Sequence, residues 1–527
     1  MKIKMLHLFT LALGLLLLVG CTKVGPEYIK PNEVVLPETW SKSLSKSDHN
    51  ITSWWKQFND ETLDLLVEKT YEQNLDLRSA GLRILQARAS LGVSEGLIYP
   101  QQQSVSANIA SVRTNGNTLA ASSISFDMGW EMDVWGKYAR GIEASEAGLY
   151  ASIASYDDIL VRVIAEVARN YINYQTAQER IGYAKRNIII QEKIVEITKI
   201  QFNSGNVSGL DMYQARTQLY TTKSVLPSLE LSKIKSRNAI AILLGVLPQD
   251  VEHILNKTER STKKYSSKDI FKELKASLEN HNYNTTSYIP MMALDKTIEI
   301  DADLVRRRPD IRVAELQTIS QNARIGMAQA DLYPHFSLFG SIGYNNQSAS
   351  GVHLSASDAI SITAGPSFSW NIFQYGRIKN QVRLQDALFQ ESLINYNKKV
   401  LLAVQEVSNA LNSYTLSQEQ LELNAQAIEA TVKSFNISIT QYNDGLVGYQ
   451  RLLTSVQNLT RNEDQYAQIQ GNVANHLVSL YKALGGGWKI ASGKSYLHLD
   501  DIKQMKGRSD WGEYFDNNAS LNRGDDK

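Results

Sequence analysis

The chain has 527 residues, with 55 Lys and Arg against 54 Asp and Glu and a formal net charge of +1. That balance leaves no electrostatic footprint for nucleic acid, and a lone cysteine, Cys21, excludes an internal disulfide. The 8 histidines show no HExxH or other ligand spacing, and G-x-S-x-G, P-loop and G-x-G-x-x-G patterns are all missing. The expectation is a protein that is not an enzyme, with no metal and no cofactor.

The amino terminus starts basic (Lys2, Lys4), continues apolar from Leu6 to Val19 and ends in Leu18-Val19-Gly20-Cys21. Residues 1–20 read as an export signal too short to span a membrane. Cys21, directly after a small residue at the end of that stretch, resembles a bacterial lipoprotein processing site. Its acyl chains would enter the inner leaflet of an outer membrane, each buried CH₂ contributing about 0.8 kcal/mol. Residues 21–59, with Gly25, Pro26, Pro31, Pro37, Trp40, Trp54 and Trp55, read as an extended arm on a larger surface.

A first repeat follows over residues 60–245. Glu61 to Gly96 is an amphipathic helix stopped at Tyr99-Pro100. A hairpin over 103–132 alternates Val105, Ala107 and Ile109 with Ser104, Ser106 and Asn108, then Ile124, Phe126, Met128 and Trp130 with Ser123, Ser125, Asp127 and Gly129. A long helix over 137–203 and a return helix over 209–244 complete the repeat; Pro227 should kink the return helix or break it. Residues 246–302, locally charged at Lys263, Lys264, Lys268 and Lys272, read as a linker lying outside the long helices as a belt.

The second repeat, 303–485, has the same plan: a helix, a hairpin over 335–372, a long helix over 377–443 and a return helix over 448–484. Between Gly376 and Gly445 there is neither glycine nor proline, and Leu388, Leu393, Tyr396, Val400, Val404, Val407, Leu411, Tyr414 and Leu421 recur at helical steps. Roughly 65 helical residues extend on the order of 100 Å. The tail, 486–527, turns polar and acidic; part of it should pack against the belt, with the last ten residues disordered.

The two repeats register at a shift of 240 residues: Trp130 with Trp370, Gly136 with Gly376, Glu166-Val167 with Glu406-Val407, Tyr174 with Tyr414, and Gly205 with Gly445. Upstream the shift is 234, pairing Tyr99-Pro100 with Tyr333-Pro334. One unit has been used twice. Its strands, apolar on one face and small and polar on the other with aromatics at the ends, suit an outer-membrane barrel. Four strands are too few to close one, and open edges cannot face lipid, so several chains must share the barrel.

Order and motif together resemble the TolC family of outer-membrane factors, in its lipoprotein branch serving drug efflux systems of the resistance-nodulation-division type. The residues that carry the likeness are Cys21 with Gly25-Pro26 and Tyr28, Arg307-Arg308-Pro309-Asp310-Ile311, and Tyr333-Pro334-His335-Phe336. The turns at 135–137 and 375–377, and the tips Phe202-Asn203-Ser204-Gly205 and Tyr442-Asn443-Asp444-Gly445, complete it.

The resemblance implies a fold that is mainly α with a membrane β part: a homotrimer whose twelve strands form one barrel and whose helices form a periplasmic tunnel. It implies an exit duct for drugs or other small toxic compounds, working with a periplasmic adaptor (membrane fusion protein) and an inner-membrane pump. Gate candidates at the tip are Asp211, Arg451, Tyr213, Tyr449 and Asp444. Gly205, Ser208, Gly209, Gly445 and Gly448 are candidates for tip turns and adaptor docking. The chain departs from the family at Arg451 and Thr454, where acids are common, and Arg451 could instead pair with Asp211. Two other readings keep part of the architecture: the outer-membrane channel of a type I protein secretion system, and a coiled-coil surface scaffold with no channel.

Overall fold

The computed structural model describes residues 22–30, 51–114, 117–255, 287–292, 307–348 and 359–515. Cys21, the export signal, Trp40, most of the linker (256–286 and 293–306), the loop 349–358 and the end of the tail from 516 lie outside the described residues. In chain order the elements are α1 (Glu61–Gln73), α2 (Leu75–Gly96), β1 (Gln102–Thr114), β2 (Asn117–Met132), α3 (Lys137–Asn203), α4 (Gly209–Leu244) and α5 (Pro248–Leu255). They continue with α6 (Pro309–Ala330), β3 (His335–Ser348), β4 (Ile360–Ser369), α7 (Arg377–Asn443), α8 (Tyr449–Ala483) and α9 (Leu499–Lys506). The mainly helical class with four antiparallel strands is the one expected. No helix among the described residues is long and apolar enough to cross a membrane.

The chain forms two compact units, one drawn from Met1–Val35, Leu82–Ser155 and Asp310–Val400, the other from Leu36–Gly81, Tyr156–Pro309 and Leu401–Lys527. The first holds a single antiparallel sheet in the order β1-β2-β3-β4. Its register aligns Val105, Phe126, Ile342 and Ile362 in one row across the four strands, and Ser104, Asp127, Ser341 and Thr363 in the next. Successive side chains point to opposite faces, so one face is apolar and the other is hydroxyl-rich. The apolar face is bare: Ile109, Ile362 and Phe368 are all more than two-thirds exposed.

The duplication extends to hydrogen bonds. Trp130 donates its indole N–H to the Ile98 carbonyl at 2.8 Å, and Trp370 donates to the Leu332 carbonyl at 3.0 Å. Each tryptophan thereby ties the end of a return strand to the turn that precedes its hairpin.

In the same unit the arm residues from Thr22 onward lie against the start of α3 and against α6. Val24 N–H bonds to the Trp135 carbonyl at 3.1 Å. The Arg140 guanidinium, wholly buried, donates to the Val24 and Gly25 carbonyls and pairs with Glu27 and Glu143, both at 2.8 Å. Gly25 has φ of +98°, and a Cβ there would stand 2.4 Å from the Gly326 Cα. Only glycine fits where these two backbones touch.

The second unit is helical. Two expectations are corrected here. The helix expected over 61–96 is interrupted at Asn74, whose buried side chain accepts from Leu77 N–H at 2.9 Å and donates to the Leu243 carbonyl at 2.8 Å, capping α2 as it leaves α1. Part of the arm expected to be extended, Ile51–Phe58, is a 3₁₀ turn. It buries Trp54 and Trp55, and Trp54 stacks on Tyr481 at 5.4 Å. Of the two outcomes expected at Pro227, a kink or a break, the break is not found, since α4 continues through it. The tail packs on α1 and α2: Arg78 pairs with Asp501 at 2.8 Å, and Gly81 leaves room for the Tyr496 carbonyl, which a Cβ would meet at 2.1 Å.

Candidate functional site

The two helical reversals, α3 to α4 and α7 to α8, both lie in the second unit, and their geometry follows from local sequence. A helix that ends in a tight turn favours a left-handed residue just past its last turn. Gly205 and Gly445 occupy that place with φ of +76° and +70°. The hydrogen bonds repeat as well: Gly205 to Phe202 and Asn206 to Gln201, then Gly445 to Tyr442 and Leu446 to Gln441. Neither glycine has a neighbour within 4 Å of where a Cβ would stand, so conformation alone selects it.

Beyond the turns the two repeats diverge. Ser208 caps α4 in a reciprocal box: its hydroxyl accepts from Asp211 N–H at 3.4 Å, while the Asp211 carboxylate accepts from the Ser208 backbone N–H at 3.1 Å and from its hydroxyl at 3.0 Å. Gly448 takes the same place before α8 with no side-chain cap. In the first repeat the Phe202 ring covers Gly209, which a Cβ would approach to 3.6 Å. In the second, Tyr442 meets Tyr449 edge to face at 6.0 Å.

The candidates therefore fall into two groups. Tyr449 is buried in an apolar cluster with Ile194 of α3, Phe435 and Ile439 of α7, and Leu452 and Val456 of α8. Burial pushes its phenol up, and the charge of Asp211 adds to the effect. Tyr442 shifts the same way for the same first cause, with a hydrogen bond to Thr198 opposing. Tyr213, Asp444 and Arg451 are exposed, and among the described residues Arg451 forms no ion pair. The Asp211–Arg451 pair is not made within the chain; the Asp211 carboxylate caps its own helix instead.

Sequence reading missed a polar seam between α3 and α8, which run antiparallel. Asn173 meets Asn475 at 2.9 Å, and Gly471 makes room for Thr176, whose hydroxyl would lie 2.2 Å from a Cβ. Arg180 grips Asp464 with two hydrogen bonds of 2.7 and 3.0 Å and reaches Gln468 at 2.8 Å. Next come the buried pair Arg186 and Glu463, with Asn187 donating to the same carboxylate at 2.8 Å. Gln191 closes the seam on Thr460 at 3.2 Å. Burial raises the Glu463 carboxyl, against the opposing pull of Arg186 and Asn187. The sequence does hold the signal: Glu463 falls on the apolar stripe Leu452, Val456, Leu459, Tyr466, where a charge needs a partner.

The outer membrane efflux protein family model matches residues 66–246 and 302–486, one stretch for each repeat. The nodulation protein T of Rhizobium leguminosarum bv. trifolii is 27% identical over 484 residues, covering 90% of this chain and 96% of that protein. The probable outer membrane lipoprotein SilC of Salmonella typhimurium is 24% identical over 502 residues, covering 92% and 99%. Among solved structures, the outer-membrane channel OprN superposes with a TM-score of 0.72 at 28% identity, covering 88% of this chain and 99% of that one.

Proposed function

Because the chain belongs to the outer membrane efflux protein family, we propose that three copies of it close one twelve-stranded barrel and serve as the exit duct of a tripartite efflux pump. The sheet is the observation that supports this most directly. It has four strands, an exposed apolar face, and edges on β1 and β4 that find no partner among the described residues. Each backbone group left unpaired in lipid costs several kcal/mol, and four strands cannot curl far enough to meet each other. Three copies give twelve, an even number within the range of known barrels.

In this reading the duct is passive. Energy comes from an inner-membrane pump of the resistance-nodulation-division type, linked through a periplasmic adaptor. The helical reversals form the gated end. Small residues at Gly205, Ser208, Gly209, Gly445 and Gly448 leave grooves for an adaptor hairpin. Exposed Tyr213, Asp444 and Arg451 meet groups of neighbouring copies, while Asp211 and Tyr449 hold each tip from within. Acyl chains on Cys21 anchor the arm. The cargo is small toxic solutes, drugs included.

Deleting the gene tests the reading. The strain should become sensitive to small toxic compounds while its release of exoproteins is unchanged; the reverse pattern would identify a protein-secretion duct. Purified protein should conduct ions across a planar bilayer, and a scaffold would not.

A further inference from the structure

We infer that Asp127 sets the charge preference of the duct, favouring cations over anions on the path through the barrel; this rests on the duct reading. Asp127 belongs to the hydroxyl-rich face, in the row Ser104, Asp127, Ser341 and Thr363. Ser341 Oγ donates to one carboxylate oxygen at 2.7 Å, and Ser125 Oγ to the other at 2.9 Å. Ser125 is in turn bonded to Ser106 at 2.9 Å. Both oxygens are fixed by neutral donors, so the side chain is held in place while its charge is left uncompensated.

The other charges of the sheet do not duplicate it. Glu131, four residues on along the same face, has His335 Nδ1 against it at 2.7 Å. Arg113 falls in step with Val105, Ala107 and Ile109, on the face opposite Asp127, and its backbone pairs with Thr118 beside the β1–β2 turn. Among the described strand residues Asp127 is therefore the one carboxylate with no basic side chain within ion-pair distance. Three copies would place three such carboxylates around one water-filled path, and rings of Asp or Glu select for cations. The preference should weaken as salt rises, because the Debye length shrinks from about 10 Å at 0.1 M to about 3 Å at 1 M.

The test is the reversal potential of the full-length protein in planar bilayers of uncharged lipid under a KCl gradient. Unsubstituted protein should favour K⁺ over Cl⁻, more so at low salt. Asp127→Asn, which keeps size and shape, should move the permeability ratio toward one, and Asp127→Lys should reverse it. Glu131→Gln should change it little. Ser341→Ala, which keeps the charge, should retain the cation preference and shows that the sheet tolerates change at this row. A conducting channel whose ratio is the same in Asp127→Asn overturns the assignment and leaves the duct standing. Unsubstituted protein that fails to conduct at all overturns the duct reading itself.

Discussion

At Gly205 and Gly445 the backbone angle is the whole reason for the residue, since no neighbour crowds the missing Cβ. A left-handed alanine costs about 1–2 kcal/mol, partly offset by the lower entropy of the unfolded chain. Gly205→Ala and Gly445→Ala should each lower stability by about 1 kcal/mol, read as an earlier urea midpoint, with the fold intact. Gly25 differs, because its Cβ would press on the Gly326 backbone as well as demand a positive φ. Gly25→Ala should release the arm from α3, and limited proteolysis should then cut near residues 22–30 in the variant but not in the parent. Asp211 is likewise set by local chemistry. Ser208-Gly209-Leu210-Asp211 already spells a capping box, which contributes about 1 kcal/mol, whereas an exposed ion pair contributes about 0.2–1 kcal/mol and holds two long side chains still.

Among the elements, the α3–α8 seam decides how the two repeats grip each other in the second unit. Glu463→Leu would strand the buried Arg186 and should cost about 3–5 kcal/mol. Arg186→Met combined with Glu463→Leu should recover most of that, and a double-mutant cycle in denaturant reads the difference. Burial raises the Glu463 carboxyl above its ordinary value of 4.5. The folded chain then keeps a proton that the unfolded chain has lost. Stability from this group is full below 4.5 and fades as pH rises through the raised value. Unfolding midpoints of the parent should therefore fall relative to Glu463→Gln as pH rises from 4.5. The long helices α3 and α7 were legible because their sequence lacks proline and their apolar residues keep helical spacing. The 3₁₀ turn at Ile51–Phe58 was not, because the Gly and Pro residues upstream suggested an extended arm while Trp54 buries against a partner, Tyr481, more than 400 residues away in sequence. Seam partners were hidden for the same reason: the pattern marks a charge on an apolar stripe but not the helix that answers it.

For the assembled molecule the bare face of the sheet is the feature to challenge. Ile362 points away from the hydroxyl row and is 73% exposed, while its neighbour Ser361 faces the other way. Ile362→Arg should impair insertion into lipid vesicles by about 2–4 kcal/mol if it sits at mid-depth, whereas Ser361→Arg should insert normally. A soluble sandwich would need no vesicle, and both variants would fold or fail in water alone. The Arg140 contacts on the arm add a constraint of a different kind. The held carbonyls of Val24 and Gly25 begin three residues after Cys21, and three extended residues reach roughly 10 Å. Were Cys21 acylated as proposed, it would be the fixed end of a very short leash, and the first turn of α3 could not drift farther from the lipid surface than the leash allows.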